Sequence, residues 1–126
     1  MSERWAVLVT GSRAWTDYDA IERVLSEYPA GTVLIHGDAR GADSLAAECG
    51  ERFVFNVIAM PAQWKRHGVV AGPIRNGHMV RVLLALKECG HNVRVEAFPL
   101  RSSKGTRDAM RRAMELGVET RDHGAR

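Results

Sequence analysis

The chain has 126 residues, of which 45% are hydrophobic and 26% charged, with a formal net charge of +3 and a pI near 9.2. That length fits one domain with one core, and that balance excludes a disordered or fibrous chain. The cationic excess is small and its Lys and Arg are dispersed, so attraction to phosphate is within reach while no nucleic-acid-binding run stands out.

Trp5 to Val9 is the first strand candidate, followed by a helix whose face carries Ile21, Val24, Leu25 and Tyr28 after a cap at Thr16 or Asp17. Thr32 to His36 is the second, and Asp43 reads as the cap of a helix bearing Leu45, Ala46 and Cys49. Phe53 to Ala59 is the third. After an irregular stretch from Pro61 to Pro73, a further helix presents Met79, Val82, Leu83 and Leu86 and ends at Gly90. Val80 and Leu84 fall outside that stripe and point to a second buried face, within the chain or between subunits. Val93 to Phe98 is the fourth strand candidate. Ala109, Ala113 and Leu116 mark a last helix ended by Gly117, Val118 to Thr120 is the fifth strand, and residues 121–126 read as a polar tail that frays.

Strands alternating with helices predict right-handed βαβ units. The expected fold is α/β: a Rossmann-like three-layer sandwich with a five-stranded, mainly parallel sheet ordered 3-2-1-4-5 and helices on both faces, in a single domain over 1–126. A sheet covered on both faces also explains why "AVLV" and "TVLI" are continuously apolar.

Cys49 and Cys89 form no C-x-x-C pair, which argues against a zinc ribbon or a disulfide framework and for a reducing compartment. His67, His78 and His91 are too scattered for a metal site, so neither metal nor cofactor is expected. The apolar run in "MSERWAVLV" is too brief for a signal peptide or a membrane span. A cytoplasmic protein with no membrane partner is the expectation.

In an open parallel sheet, ligands bind beyond the carboxyl ends of the strands, where helix N-termini present unpaired N–H groups. Thr10-Gly11-Ser12-Arg13 follows the first strand and combines a glycine, a hydroxyl and a guanidinium. It reads either as a phosphate cradle or as a tight turn with a solvated arginine. After the second strand, "HGDARGAD" offers Gly37 and Gly41 for close approach or positive φ and Asp38 as a carboxylate free to accept from sugar hydroxyls. His36 reads as a hydrogen-bonded structural histidine, with general base as the lesser reading.

In "MPAQWKRHGVVAGPIRNGHM", Trp64 sits in a loop as a lid over the core or a stacking platform. Arg75 and Asn76 fall in the first turns of a helix, where a cation is electrostatically misplaced unless an anion compensates it. "FPLRSSKGTRDAM" supplies Ser102, Ser103, Gly105 and Thr106, with Arg101 and Lys104, as a second anion cradle. In a 3-2-1-4-5 sheet the first and fourth strands flank the switch point, so both cradles face one crevice.

The motifs "VTGSR", "HGDARGAD", "PAQW", "AGPIRNGHM" and "AFP" followed by "GTRDAM", from Val7 to Val118, resemble in order the branch of the SLOG superfamily related to YspA and cpYpsA. That Rossmann-like superfamily includes the LOG phosphoribohydrolases and the DNA-processing protein DprA. The resemblance implies a nucleotide or nucleotide-derived ligand in the crevice, a homo-oligomer, and a role in nucleotide signalling in bacteria or phage. LOG enzymes carry P-G-G-x-G-T-x-x-E; here Pro99, Gly105 and Thr106 match, the paired glycines are missing, and the glutamate's position falls on Ala109, one residue from Asp108. Arg75 with Met79 resembles the R-x-x-x-M region that contains a LOG catalytic arginine.

The leading expectation is therefore binding of a nucleotide-like small molecule such as an ADP-ribose-like signal. Gly11, Ser12 and Arg13 would hold one phosphate, Ser103, Gly105 and Thr106 another, Asp38 a ribose, and Arg75 and Trp64 the far end. The second is N-glycoside hydrolysis of a nucleoside monophosphate, with Asp38, Asp43 or Asp108 as acid or nucleophile and Arg75 as the other catalytic candidate. DprA-like DNA binding ranks third, given the modest charge.

Overall fold

A computed structural model describes residues 3–101 and 103–124 of the chain. Strand β1 (Trp5–Gly11) leads to helix α1 (Tyr18–Leu25), β2 (Val33–His36), α2 (Ala42–Arg52) and β3 (Asn56–Ala59). A one-turn helix α3 (Trp64–His67) and a 3-10 turn (Gly68–Val70) precede α4 (Ala71–Glu88), β4 (Asn92–Phe98), α5 (Lys104–Glu115) and β5 (Thr120–Asp122). All four strand pairings are parallel and the order is β3-β2-β1-β4-β5, as the sequence predicts.

Alternation along β1 sorts its residues between two cores. Val7 and Val9 pack with Ile21, Leu25, Ala46 and Cys49 of α1 and α2. Ala6 and Leu8 pack with Met79, Leu83, Val95 and Ala113 on the other face. Side chains on both faces of a central strand must then be apolar, which is why β1 reads as an unbroken run. The pairing of β1 with β4 is in register over the full length of both, from Trp5 opposite Asn92 to Gly11 opposite Phe98. Because the two strands end together, the loops that follow them emerge side by side.

Asp17 caps α1 as expected, its carboxylate accepting from the Ala20 amide at 3.1 Å. Asp43 does not cap α2: the cap position is Gly41, and Asp43 lies inside the first turn. Trp64 is not in a loop but opens α3. Strand β3 is shorter than the apolar run suggests, because Phe53 ends α2 and Val54 takes a left-handed backbone with φ 60°, which turns Phe55 into the core.

Val80 is buried together with Met79 and Leu83, so it extends the core face of α4 and forms no separate face, while Leu84 packs half-buried against the same core. At the C-terminal end, β5 begins two residues later than expected, and the segment after Thr120 is not frayed. Arg121 and Asp122 complete β5, and the His123 amide donates to the Ala97 carbonyl at 2.8 Å. Residues 125–126 of the expected tail lie outside the described residues. Among the described residues no helix is long and apolar enough to cross a membrane.

Candidate functional site

At the carboxyl ends of β1 and β4 lies a cleft of about 620 Å³, within the roughly 300–1,000 Å³ usual for small-molecule sites. Gly11, Ser12 and Arg13 from the β1–α1 loop and Ser103, Gly105 and Thr106 from the start of α5 line it together. Trp64, Arg75, Asn76, Asp43 and Asp108 also reach its walls. Ser102 lies outside the described residues. Gly37, Asp38 and Gly41 do not line the cleft.

Those three have other work. Gly41 has φ 71°, and a Cβ there would strike the backbone of Ser12 and Arg13; Gly11 similarly leaves room for Ala42 and Phe98. The two glycines let the β1–α1 and β2–α2 loops touch, sealed by the Ala42 amide donating to the Ser12 carbonyl at 3.1 Å. Gly37 makes room for the Arg75 guanidinium. Asp38 is exposed, sits at φ 57°, and its amide donates to His36 Nδ1 at 2.9 Å. That bond requires a lone pair on Nδ1, so His36 is neutral, in keeping with burial pushing its pKa down. The ribose-reading role expected of Asp38 thus has no support in its position.

Arg75 is not electrostatically stranded. Its Nη1 donates to the carbonyls of Gly37 and Met60, and its Nε donates to Asn76 Oδ1 at 3.0 Å. Burial lowers its pKa, the Asp43 carboxylate works the other way, and the nearby Arg13 lowers it further. Two guanidinium groups close enough to oppose each other make this end of the cleft attractive to an anion.

Asn76 is a buried bracket between α4 and α5, its Nδ2 donating to the Gly105 carbonyl at 3.1 Å and to Asp108 Oδ2 at 3.0 Å. Asp108 also accepts from Arg111 at 2.6 Å and Arg112 at 2.9 Å. Burial alone would raise its pKa, but Asn76, Arg112 and Arg111 together hold it below the usual carboxylate range. Asp108 is consequently an ionised structural partner and poorly suited to carry a proton.

Asp43 differs. It is only 5% exposed, its Oδ2 accepts from the Gly37 amide at 3.0 Å and the Ala39 amide at 3.3 Å, and its Oδ1 has no partner among the described residues. Burial, opposed by the Ala39 amide, Arg75 and the Gly37 amide, pushes its pKa up to about 6. Of the three candidate carboxylates it alone combines a place on the cleft wall with a raised proton affinity.

At the mouth, the Arg13 guanidinium lies over the Trp64 indole, 5.6 Å from the ring centroid, and Trp64 is 49% exposed. The start of α5 is open toward the cleft. Ser103 occupies its cap position, but the hydroxyl accepts from the Leu100 amide at 3.0 Å and makes no bond to the first turn. The first-turn amides of α5 therefore keep their capacity to donate.

Sequence reasoning missed Ala14, Ala39, Gly72 and Pro73, took Met79 chiefly as core, and weighted Lys104 only as added charge, although all line the cleft. Met79 reads as core because its helical spacing is that of core residues. Gly72 and Pro73 carried a signal, since proline in the first turn marks a helix start and a cleft at a helix N-terminus follows from that.

Residues 5–67 match the family described as the YspA, cpYpsA-related SLOG family. The "Gene 61 protein" of Mycobacterium phage D29 is 39% identical over 127 aligned positions, covering 94% of this chain and 95% of that protein. Among solved structures, the DNA processing protein DprA from Streptococcus pneumoniae aligns with a TM-score of 0.51 at 19% identity, over 93% of this chain and 58% of DprA. The C-terminal domain of a hydrogenase from Pyrococcus furiosus aligns with a TM-score of 0.51 at 15% identity, over 98% of this chain and 94% of that domain. At these identities the two structural likenesses are likenesses of fold, and this chain spans little more than half of DprA.

Proposed function

The chain belongs to the YspA, cpYpsA-related SLOG family, and on that footing we propose that it binds a phosphate-bearing, nucleotide-derived small molecule in the cleft beyond β1 and β4. One observation carries the reading: two loops far apart in sequence, Thr10–Ala14 and Ser103–Thr106, line a single cleft that also holds Arg13, Lys104 and Arg75. Helix α5 meets that cleft with an uncapped N-terminus, whereas α1, which starts away from it, is capped by Asp17. An anion seated between Thr106 and Arg13 would take the free amides of α5 and the guanidinium together. Trp64 at the mouth offers a face on which a base can stack.

Thermal unfolding in the presence of mononucleotides, dinucleotides and ADP-ribose species tests this. A ligand at 100 times its dissociation constant stabilises by about 2.7 kcal/mol, a shift of several degrees for a domain of this size. No shift with any phosphate-bearing ligand would exclude the reading. Protection by single-stranded DNA alone, lost steeply with salt, would replace it with a nucleic-acid role.

A further inference from the structure

We propose that Asp43 sets the specificity of the cleft by taking a hydrogen bond from a sugar hydroxyl, so that the ligand class is ribosyl phosphates in preference to their 2-deoxy counterparts. This rests on the anion-binding reading above and adds to it the feature recognised at the opposite end of the ligand.

Three observations converge on Asp43. The first is position: it is carried by the first turn of α2, behind β2, whereas the uncapped start of α5 stands behind β4. Strand β1 separates the two, so the strand ends that position them are two interstrand spacings apart, roughly 10 Å, before the side chains reach inward. A phosphate and a hydroxyl at opposite ends of a furanose ring match that arrangement better than two phosphates would.

The second is bonding. Oδ2 is fully engaged by the Gly37 and Ala39 amides, which fixes the carboxyl plane, while Oδ1 is buried and unpartnered among the described residues. A buried carboxylate oxygen with no donor is costly, and an ionised carboxylate can only accept. The group that relieves it must therefore bring a hydrogen. A phosphate oxygen cannot; a hydroxyl can.

The third is what surrounds it. Arg75 acts on Asp43 electrostatically, but its Nη1 and Nε are committed to Gly37, Met60 and Asn76. Asp38, the other acid of this loop, is exposed and off the cleft wall. Asp43 is thus the acid on the cleft wall with an acceptor to spare.

Calorimetric titration of the full chain with inorganic phosphate, ribose 5-phosphate and 2-deoxyribose 5-phosphate decides the matter. The wild type should bind ribose 5-phosphate tighter than the deoxy sugar by on the order of tenfold or more, the worth of one hydrogen bond to a charged acceptor. In Asp43→Asn the amide oxygen can keep the Gly37 and Ala39 bonds while its NH₂ stands where Oδ1 was, and the preference should fall to a few-fold, because the hydroxyl then meets a neutral donor in place of a charged acceptor. Equal affinity of the wild type for the two sugars, or a preference undiminished in Asp43→Asn, overturns the role of Asp43 and leaves the anion site standing. If none of the three ligands binds, both readings fall. The wild-type comparison needs no variant, so it decides even if Asp43→Asn does not fold.

Discussion

Arg13 stands over Trp64 with its guanidinium carbon 5.6 Å from the indole centroid, and the two side chains lie at the mouth of the same cleft from different ends of the site. Both are exposed, so their mutual attraction contributes only about 0.5–1 kcal/mol to the fold. Their larger value is as a ready-made pair, one member for a phosphate and one for a base. Trp64→Ala should therefore shift the urea midpoint by no more than ~1 kcal/mol while weakening nucleotide binding about tenfold, since stacking of a base on an aromatic ring contributes roughly 1–3 kcal/mol. Equilibrium unfolding beside a nucleotide titration separates the two. A nucleotide affinity unchanged by Trp64→Ala removes the stacking role.

Gly105 and Gly41 should respond oppositely to alanine. Gly105 has an ordinary helical backbone at the second position of α5, and a Cβ there meets nothing within 4 Å. Gly105→Ala should stabilise the fold by ~0.5–1 kcal/mol through helix propensity, yet reduce phosphate affinity by placing a methyl group where the anion approaches the amide. Gly41→Ala meets both a positive φ and the backbone of Ser12 and Arg13, and should cost at least ~2 kcal/mol. Thermal melts with and without ligand give both quantities.

The alternating strand and helix signals were enough to predict a parallel sheet covered on both faces, because continuous apolar runs in β1 and β2 have one common explanation, burial on both faces. The order 3-2-1-4-5 is that of the Rossmann-like fold the motifs resemble. The convergence of the Thr10–Arg13 and Ser103–Thr106 loops followed from that order alone. What could not be read was the fate of individual polar groups. Asp38 and Asp43 share one loop and one chemistry, and which of them faces the cleft depends on the φ of 57° at Asp38 and on where α2 begins. Sequence also gave no hint that Asn76 and Arg75 are held by carbonyls and carboxylates from elsewhere in the chain. The ordered C-terminal segment escaped for a similar reason: "TRDHG" is polar, and its anchor is the buried Glu96, distant in sequence.

Asp43 should give the stability an unusual pH dependence. Its carboxyl, ordinarily near 3.8, is pushed up to about 6 by burial in the folded state. Between those values the native state holds a proton that the unfolded state has lost, so this group's contribution falls as pH rises through that window, by ~3 kcal/mol in all. The cost is fully present above pH 6 and absent below pH 4. Asp43→Asn removes the titration, so the difference in unfolding free energy between wild type and variant should change most between pH 4 and 6. A difference that is flat over that range contradicts the assignment.

Glu96 carries the opposite sign. Its carboxylate is fully buried on β4 and accepts from Tyr28, from Arg121 at 2.5 Å and from His123 at 2.7 Å. Burial would raise its pKa, but those bonds from His123, Arg121 and Tyr28 outweigh it and hold the group below the usual carboxylate range. Its stabilisation is therefore present above about pH 4.5, its ordinary value, and is lost as pH falls through the lowered one. Two of the three partners come from the C-terminal segment, so the buried charge and the order of that segment depend on each other. Removing one partner of such a pair leaves a charge without compensation, at a cost of about 3–5 kcal/mol. Arg121→Ala should incur that cost at pH 7 and expose the amides of residues 120–123 to rapid hydrogen exchange. Pairing Arg121→Ala with Glu96→Gln removes the orphaned charge and should recover part of the loss. A double variant no more stable than Arg121→Ala alone would mean that Arg121 acts through packing and not through its charge.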